Sequence, residues 1–240
     1  MYEPGLTARK IAEFDPKIFN KAKELLAAFR WTEKHKRKGD ESYLLYLPNS
    51  PERIAGFYEL TGPITKEMVD IMCAFRLPIE YLMRLSGIEN PVLVQADIAR
   101  MPPGGDTIMH TDTRFTQRYS RRYNIALETN PDCFLYHISY DLDNGGVRDH
   151  IEPGEMWELN NKIPHTAVNF GTTWRTHLII DIMPKHYYDR MWEKFPNAFG
   201  KVPNVQNKND TFDLDENNKM LDYWKLFDDL PHWFPARTQV

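Results

Sequence analysis

The 240-residue sequence holds only two cysteines, Cys73 and Cys133. Two are too few for a disulfide framework, and they lack the spacing of a thiolate metal site. Long apolar runs are missing as well. Stretches such as Leu178-Ile179-Ile180 fall far short of the roughly 20 residues a membrane span needs. The opening stretch, Met1 to Asp15, is too charged for a secretory signal, so the sequence reads as cytoplasmic. Nor is there an excess of one charge. Thirty Lys plus Arg stand against 34 Asp plus Glu, for a net charge of −4, which excludes any global attraction for nucleic acid or an anionic membrane. No internal repeat is visible. Chemistry is left to the eight histidines and the carboxylates of a chain whose 42% hydrophobic content suits one globular domain with extensions.

Three regions follow one another. Residues 1–90 read as mainly helical. Asp15-Pro16 forms an N-cap and first-turn pair, and Phe19, Ala22, Leu25, Leu26 and Phe29 recur at helical spacing up to the charged run Lys34 to Lys38. A second helical stretch opens at Thr65 with Met68, Ile71, Met72 and Phe75 on one face, restarts at Pro78 and ends near Gly87. Residues 91–184 change to short runs rich in β-branched and aromatic residues, punctuated by Gly, Pro, Asn and Asp. The runs are Val92 to Ile98, Thr107 to Thr113, Tyr123 to Glu128, Cys133 to Tyr140, Val147 to Ile151 with Met156 to Leu159, Thr166 to Phe170, and Trp174 to Met183. Strands at such spacing with no helices between them predict an antiparallel sandwich or barrel. Residues 185–240 turn helical and polar again, with a loop-like stretch from Val202 to Asp215.

One constellation in the strand-rich region carries chemistry. His110 and Asp112 stand two residues apart in a predicted strand, so both side chains project from one face. His165 follows 55 residues later, at the start of another predicted strand. Two imidazoles and a carboxylate make the facial ligand set that suits iron(II) and leaves positions open, whereas zinc is more often four-coordinate. Arg175 lies ten residues beyond His165, across a turn near Gly171, so the two are expected on neighbouring strands of one hairpin. Its planar fork is suited to clamping a carboxylate bidentately.

These residues, taken with Pro103-Gly104, Arg122 to Leu127, Asn130 to Cys133, Gly154 to Asn161, Asn169 and Leu178 to Asp181, resemble the aspartyl/asparaginyl β-hydroxylase family over about residues 90 to 185. The resemblance implies a mainly β fold with flanking helices, a double-stranded β-helix of the cupin-like jelly-roll kind. It implies an iron(II)- and 2-oxoglutarate-dependent dioxygenase that uses O2 to hydroxylate an amino acid, or an amino-acid residue of a peptide or protein. His110, Asp112 and His165 would be the iron ligands, Arg175 the partner of the distal carboxylate of 2-oxoglutarate, and Arg122 a second basic contact to a carboxylate of cosubstrate or substrate. The animal protein hydroxylases of the family lack the carboxylate ligand that Asp112 supplies, so the metal site looks more like that of the bacterial proline hydroxylases. With that carboxylate present, halide has no obvious vacancy and hydroxylation is expected.

Blander readings stand beside these. His150-Ile151-Glu152 is a rival triplet to His110-Thr111-Asp112, close in sequence to His165. His177 shares a strand face with Arg175 and reads as a hydrogen-bonded core histidine or a pocket residue; His137 reads as structural. Arg114, Arg118, Arg121 and Arg122 fall within nine residues, matching either an anionic substrate group or a solvated loop face. Trp157 and Trp174 read as core. A non-catalytic cupin that binds metal or a carboxylate is the alternative function, and a zinc or manganese isomerase a third, with no need for Arg175.

Overall fold

The computed structural model describes residues 7–32, 35–36, 42–47, 66–112, 120–138 and 146–194. In chain order these form β1 (Ala8–Glu13), a 3-10 turn (Pro16–Phe19), α1 (Asn20–Ala28), β2 (Tyr43–Leu47), α2 (Lys66–Leu85), β3 (Pro91–Met101), β4 (Arg121–Glu128), β5 (Cys133–His137), β6 (Val147–Asp149), β7 (Glu155–Leu159), β8 (His165–Asn169), β9 (Arg175–Pro184) and α3 (Lys185–Lys194). The strands make a six-stranded sheet, ordered β1-β7-β4-β9-β3-β2, and a three-stranded sheet, ordered β6-β5-β8. All named strand pairs are antiparallel. This is the jelly-roll arrangement expected of a double-stranded β-helix.

Alternation along β9 explains where the core lies. Leu178, Ile180 and Ile182 are fully buried on the face that meets the helices, together with Phe19, Leu26, Ile71, Phe75 and Leu82. Arg175, His177 and Asp181 point to the opposite face, between the two sheets. The large apolar core is therefore a sheet–helix interface, where each buried Leu or Ile contributes about 1.5–3 kcal/mol. A smaller apolar cluster, Ala126, Leu135, Ile151 and Leu159, joins strands of both sheets.

Several elements differ from their sequence-based expectation. The N-terminal region, expected as mainly helical, also supplies β1 and β2, which flank the large sheet by pairing with β7 and β3. β1 is held by cross-strand ion pairs from Arg9 to Glu158 and from Lys10 to Glu155. Gly154 explains its close approach: its φ is +95°, and a Cβ there would stand 2.8 Å from the Phe14 carbonyl oxygen. Pro78 does not restart a helix but lies inside α2. Ile71, Phe75, Ile79 and Leu82 pack along one face on both sides of it, and that burial offsets the missing backbone donor. Residues 107–112 form no strand; Asp106 and His110 make isolated bridges to Val168 and His165 instead. Trp174, read as core, is partly exposed, with the Arg100 guanidinium 4.2 Å from its ring centre. The Val202 to Asp215 stretch, Arg114 and Arg118 lie outside the described residues. No helix among the described residues is long and apolar enough to cross a membrane.

Candidate metal centre and carboxylate site

Two neighbouring groups, His110 and Asp112, meet the sequence-distant His165. His110 and His165 exchange backbone hydrogen bonds, His110 N to His165 O at 3.0 Å and His165 N to His110 O at 2.9 Å. That reciprocal pair brings the two rings to a centroid separation of 4.5 Å. The backbone N–H of Asp112 donates to the Asn161 carbonyl at 3.0 Å, which fixes the third residue against the loop after β7. The expected shared face of His110 and Asp112 is realised without a strand, because these bonds replace the ladder. His110, Asp112 and His165 form the only cluster of three potential metal ligands among the described residues, with one ligand atom from each lying within 4.8 Å of the others.

The hydrogen bonds leave the right atoms free for a cation. Nδ1 of His110 lies 2.6 Å from the Ile108 carbonyl and Nδ1 of His165 lies 3.0 Å from that of Ile163. A carbonyl only accepts, so each Nδ1 carries the proton and each Nε2 keeps its lone pair. Asp112 uses Oδ2 to accept from Arg122 Nη1 and, at 2.8 Å, from Asn161 Nδ2. Its Oδ1 remains, 3.8 Å from His110 Nε2. Two nitrogen lone pairs and one carboxylate oxygen converge, a donor set that fits iron(II).

Protonation states agree with that set. Burial pushes the Asp112 carboxyl up, but Arg122, with His165, Asn161 and His110, outweighs it and holds the pKa at about 2. Burial lowers His165 to about 4, only partly offset by Asp112. A carboxylate and a neutral imidazole are thus in place at neutral pH.

Arg122 has protein partners where the resemblance implies a bound carboxylate. Its Nε and Nη2 grip both oxygens of the fully buried Asp181 at 2.9 and 2.8 Å, while Nη1 holds Asp112. The guanidinium ties β4 and β9 to a candidate metal ligand. Arg121 pairs with buried Glu158 instead of lining a surface. Behind Asp112, Lys162 donates to the Ser120 carbonyl at 2.8 Å and to Asn161 Oδ1, so Asn161 presents its amide N–H to Asp112. Burial lowers Lys162 to about 8. Asn161 and Lys162 are the supporting residues that sequence reasoning did not single out for this role; nothing in their local pattern shows that they stand behind Asp112.

Arg175 lies at the start of β9, in the large sheet, whereas His165 opens β8 in the small one. The two are not neighbours in a hairpin, because residues 170–174 carry the chain from one sheet to the other. Arg175 is 3% exposed, and among the described residues no carboxylate pairs with it. Its Nη2 donates to His177 Nδ1 at 3.0 Å. Burial, only partly offset by Cys133, lowers its pKa to about 10. Of the rival triplet, His150 donates through Nδ1 to the Cys133 carbonyl at 2.7 Å and meets Glu152 at 3.0 Å, apart from the ligand cluster.

Comparison with known proteins agrees with this geometry. Residues 80–184 match the family described as aspartyl/asparaginyl beta-hydroxylase. Over that segment the chain is similar to this family. The matched segment runs from within α2 to the end of β9 and contains all five candidate residues. Sequence comparison with curated proteins found no match. Among solved structures, a 2OG-Fe(II) oxygenase family oxidoreductase from Burkholderia pseudomallei is similar, with 13% identity, a TM-score of 0.53, and coverage of 74% of this chain and 84% of that one. HygX from Streptomyces hygroscopicus, solved with nickel, 2-oxoglutarate and hygromycin B, is similar at 10% identity with a TM-score of 0.50, covering 74% of this chain and 83% of that one. Such low identities establish the shared fold alone, the double-stranded β-helix.

Proposed function

We propose that this protein is an iron(II)- and 2-oxoglutarate-dependent dioxygenase that hydroxylates an amino acid or an amino-acid residue of a peptide. The observation that carries the reading is the pairing of a convergent His110–Asp112–His165 ligand set with a buried Arg175 that has no carboxylate of its own among the described residues. A non-catalytic cupin would have no need of both. His110 Nε2, His165 Nε2 and Asp112 Oδ1 would hold the metal. Iron(II), when bound, supplies the activation of O2 that couples conversion of 2-oxoglutarate to succinate and CO2 with insertion of one oxygen atom into a C–H bond of the substrate.

The residues of the chain supply geometry and charge. Arg175 would receive the distal carboxylate of 2-oxoglutarate and so fix its orientation before reaction. Arg122 and Asn161 occupy Asp112 Oδ2, which would leave Oδ1 as the oxygen to hold the metal. The backbone carbonyls of Ile108 and Ile163 hold both imidazoles in the tautomer that ligates through Nε2. Asp, Asn or Pro is the substrate class that the resemblance suggests; Arg121 and Arg122 already pair with Glu158, Asp112 and Asp181, so an anionic group on the substrate would be met by other residues. The test is an anaerobic titration of the folded protein with iron(II) and 2-oxoglutarate, followed by a screen of amino acids and peptides for stimulated succinate formation. A weak metal-to-ligand charge-transfer band and substrate-stimulated succinate are expected. Absence of the band in folded protein would overturn the reading.

A further inference from the structure

His177 stands two residues beyond Arg175 on the same face of β9 and is 2% exposed. Arg175 Nη2 lies 3.0 Å from His177 Nδ1. A guanidinium only donates, so Nδ1 is the acceptor and the ring proton of the neutral imidazole resides on Nε2. Burial, Arg175 and His150 all keep the ring neutral, its pKa well below the ordinary histidine value. The tautomer is therefore set by the arginine, and the outward-facing nitrogen is a donor. That Nε2 is buried and has no hydrogen-bond partner among the described residues.

The register leaves space around the ring. His177 pairs with Ala99 on β3 and with Ala126 on β4, so small side chains flank it on both neighbouring strands. Across the gap the neighbours that Arg175 and His177 feel are Cys133 and His150. One buried guanidinium and one buried, unpaired N–H thus stand side by side, and among the described residues no aspartate or glutamate pairs with either. An unsatisfied buried donor beside an unpaired buried cation is costly to the folded chain unless a ligand supplies the acceptors.

We propose that His177 Nε2–H is a second donor to the distal carboxylate held by Arg175, making His177 a binding residue that selects a cosubstrate ending in a carboxylate. The inference rests on the cosubstrate reading of Arg175 given above. Arg175 grips the carboxylate by charge, and the imidazole adds a neutral donor in a direction the strand fixes. It sets how far from the metal the carboxylate must end, because the ring cannot follow a shorter or longer chain.

Calorimetric titration of the manganese(II)-loaded protein separates the possibilities without turnover. Two ligands are compared, 2-oxoglutarate and 2-oxobutyrate, which lacks the distal carboxylate. His177→Asn places an amide oxygen near the position of Nδ1 and keeps the contact to Arg175 while deleting the Nε2 donor. His177→Gln returns an N–H near the position of Nε2. His177→Asn is expected to weaken 2-oxoglutarate about 10- to 100-fold, as loss of a hydrogen bond to a charged group does, with 2-oxobutyrate binding unchanged. His177→Gln is expected to recover most of the loss. Wild-type affinity for 2-oxoglutarate in His177→Asn, together with a large loss in Arg175→Met, would overturn the role of His177 and leave that of Arg175 intact. Equal weakening of both ligands in His177→Asn would also overturn it, since the ring would then be acting on the fold alone. Unchanged 2-oxoglutarate binding in both Arg175→Met and His177→Asn would remove the cosubstrate reading itself.

Discussion

Replacing Arg122 by methionine deletes the one group that grips Asp181 bidentately and also holds Asp112. Asp181 has no exposed surface, and Arg122 Nε and Nη2 meet its oxygens at 2.9 and 2.8 Å. Removing one partner of such a pair leaves a carboxylate buried without compensation, which costs about 3–5 kcal/mol. A domain of this kind has a total stability of about 5–15 kcal/mol, so the loss is a large fraction of the whole. Asp112 loses the partner that offsets its burial, and its pKa moves up from about 2. Metal affinity at neutral pH should fall about 10- to 100-fold, as it does when a group supporting a ligand is removed. Urea unfolding of the metal-free protein reads the first effect, and manganese(II) titration reads the second. The double variant Arg122→Met, Asp181→Leu removes both charges; it should recover most of the stability but none of the metal affinity. A loss below about 1 kcal/mol in Arg122→Met, or stability losses that simply add in the double variant, would refute the buried-pair account.

Acidification should destabilise the metal-free protein well before its ordinary carboxylates titrate. His165 is lowered from 6.5 to about 4 and His177 is lowered as well, so between those values the unfolded chain takes up protons that the folded chain refuses. Stability therefore falls as pH drops from about 6.5 toward 4, by about 3 kcal/mol for His165 alone, and Asp112 extends the loss from about 4 toward 2. Urea midpoints that stay flat between about pH 7 and 5 would contradict the buried neutral histidines. Gly154→Ala forces a side chain into a φ of +95° with its Cβ 2.8 Å from the Phe14 carbonyl oxygen. A cost of about 1–3 kcal/mol is expected, with faster hydrogen exchange in β1, the strand this approach seats; unchanged exchange there would count against that role.

The candidate ligands were legible as a group because their chemistry is local. A His-X-Asp triplet and a second histidine ahead of an apolar strand announce themselves by residue type and spacing, and the alternation of Leu178, Ile180 and Ile182 against Arg175, His177 and Asp181 is written in the order of residues along β9. β2 carried a readable signal too, since Tyr43 to Leu47 is a short run of apolar and aromatic residues of strand length. β1 did not. Its sequence, with Arg9, Lys10 and Glu13 around Ile11, becomes a strand because Glu155 and Glu158 on β7 receive its charges.

By itself the sequence determines that a strand-rich core carries two histidines, a carboxylate and a downstream arginine, since periodicity and turn residues are properties of neighbours along the chain. Only the tertiary structure decides what those groups face. It spends Arg122 on Asp112 and Asp181, two carboxylates ten and 59 residues away. It sends β8 and β9 to different sheets, so that Arg175 lies apart from the strand that carries His165. It leaves Arg175 and His177 buried together without a carboxylate partner among the described residues. Pairing and its absence are set by which strands come together across the barrel, and no spacing along a chain encodes that directly.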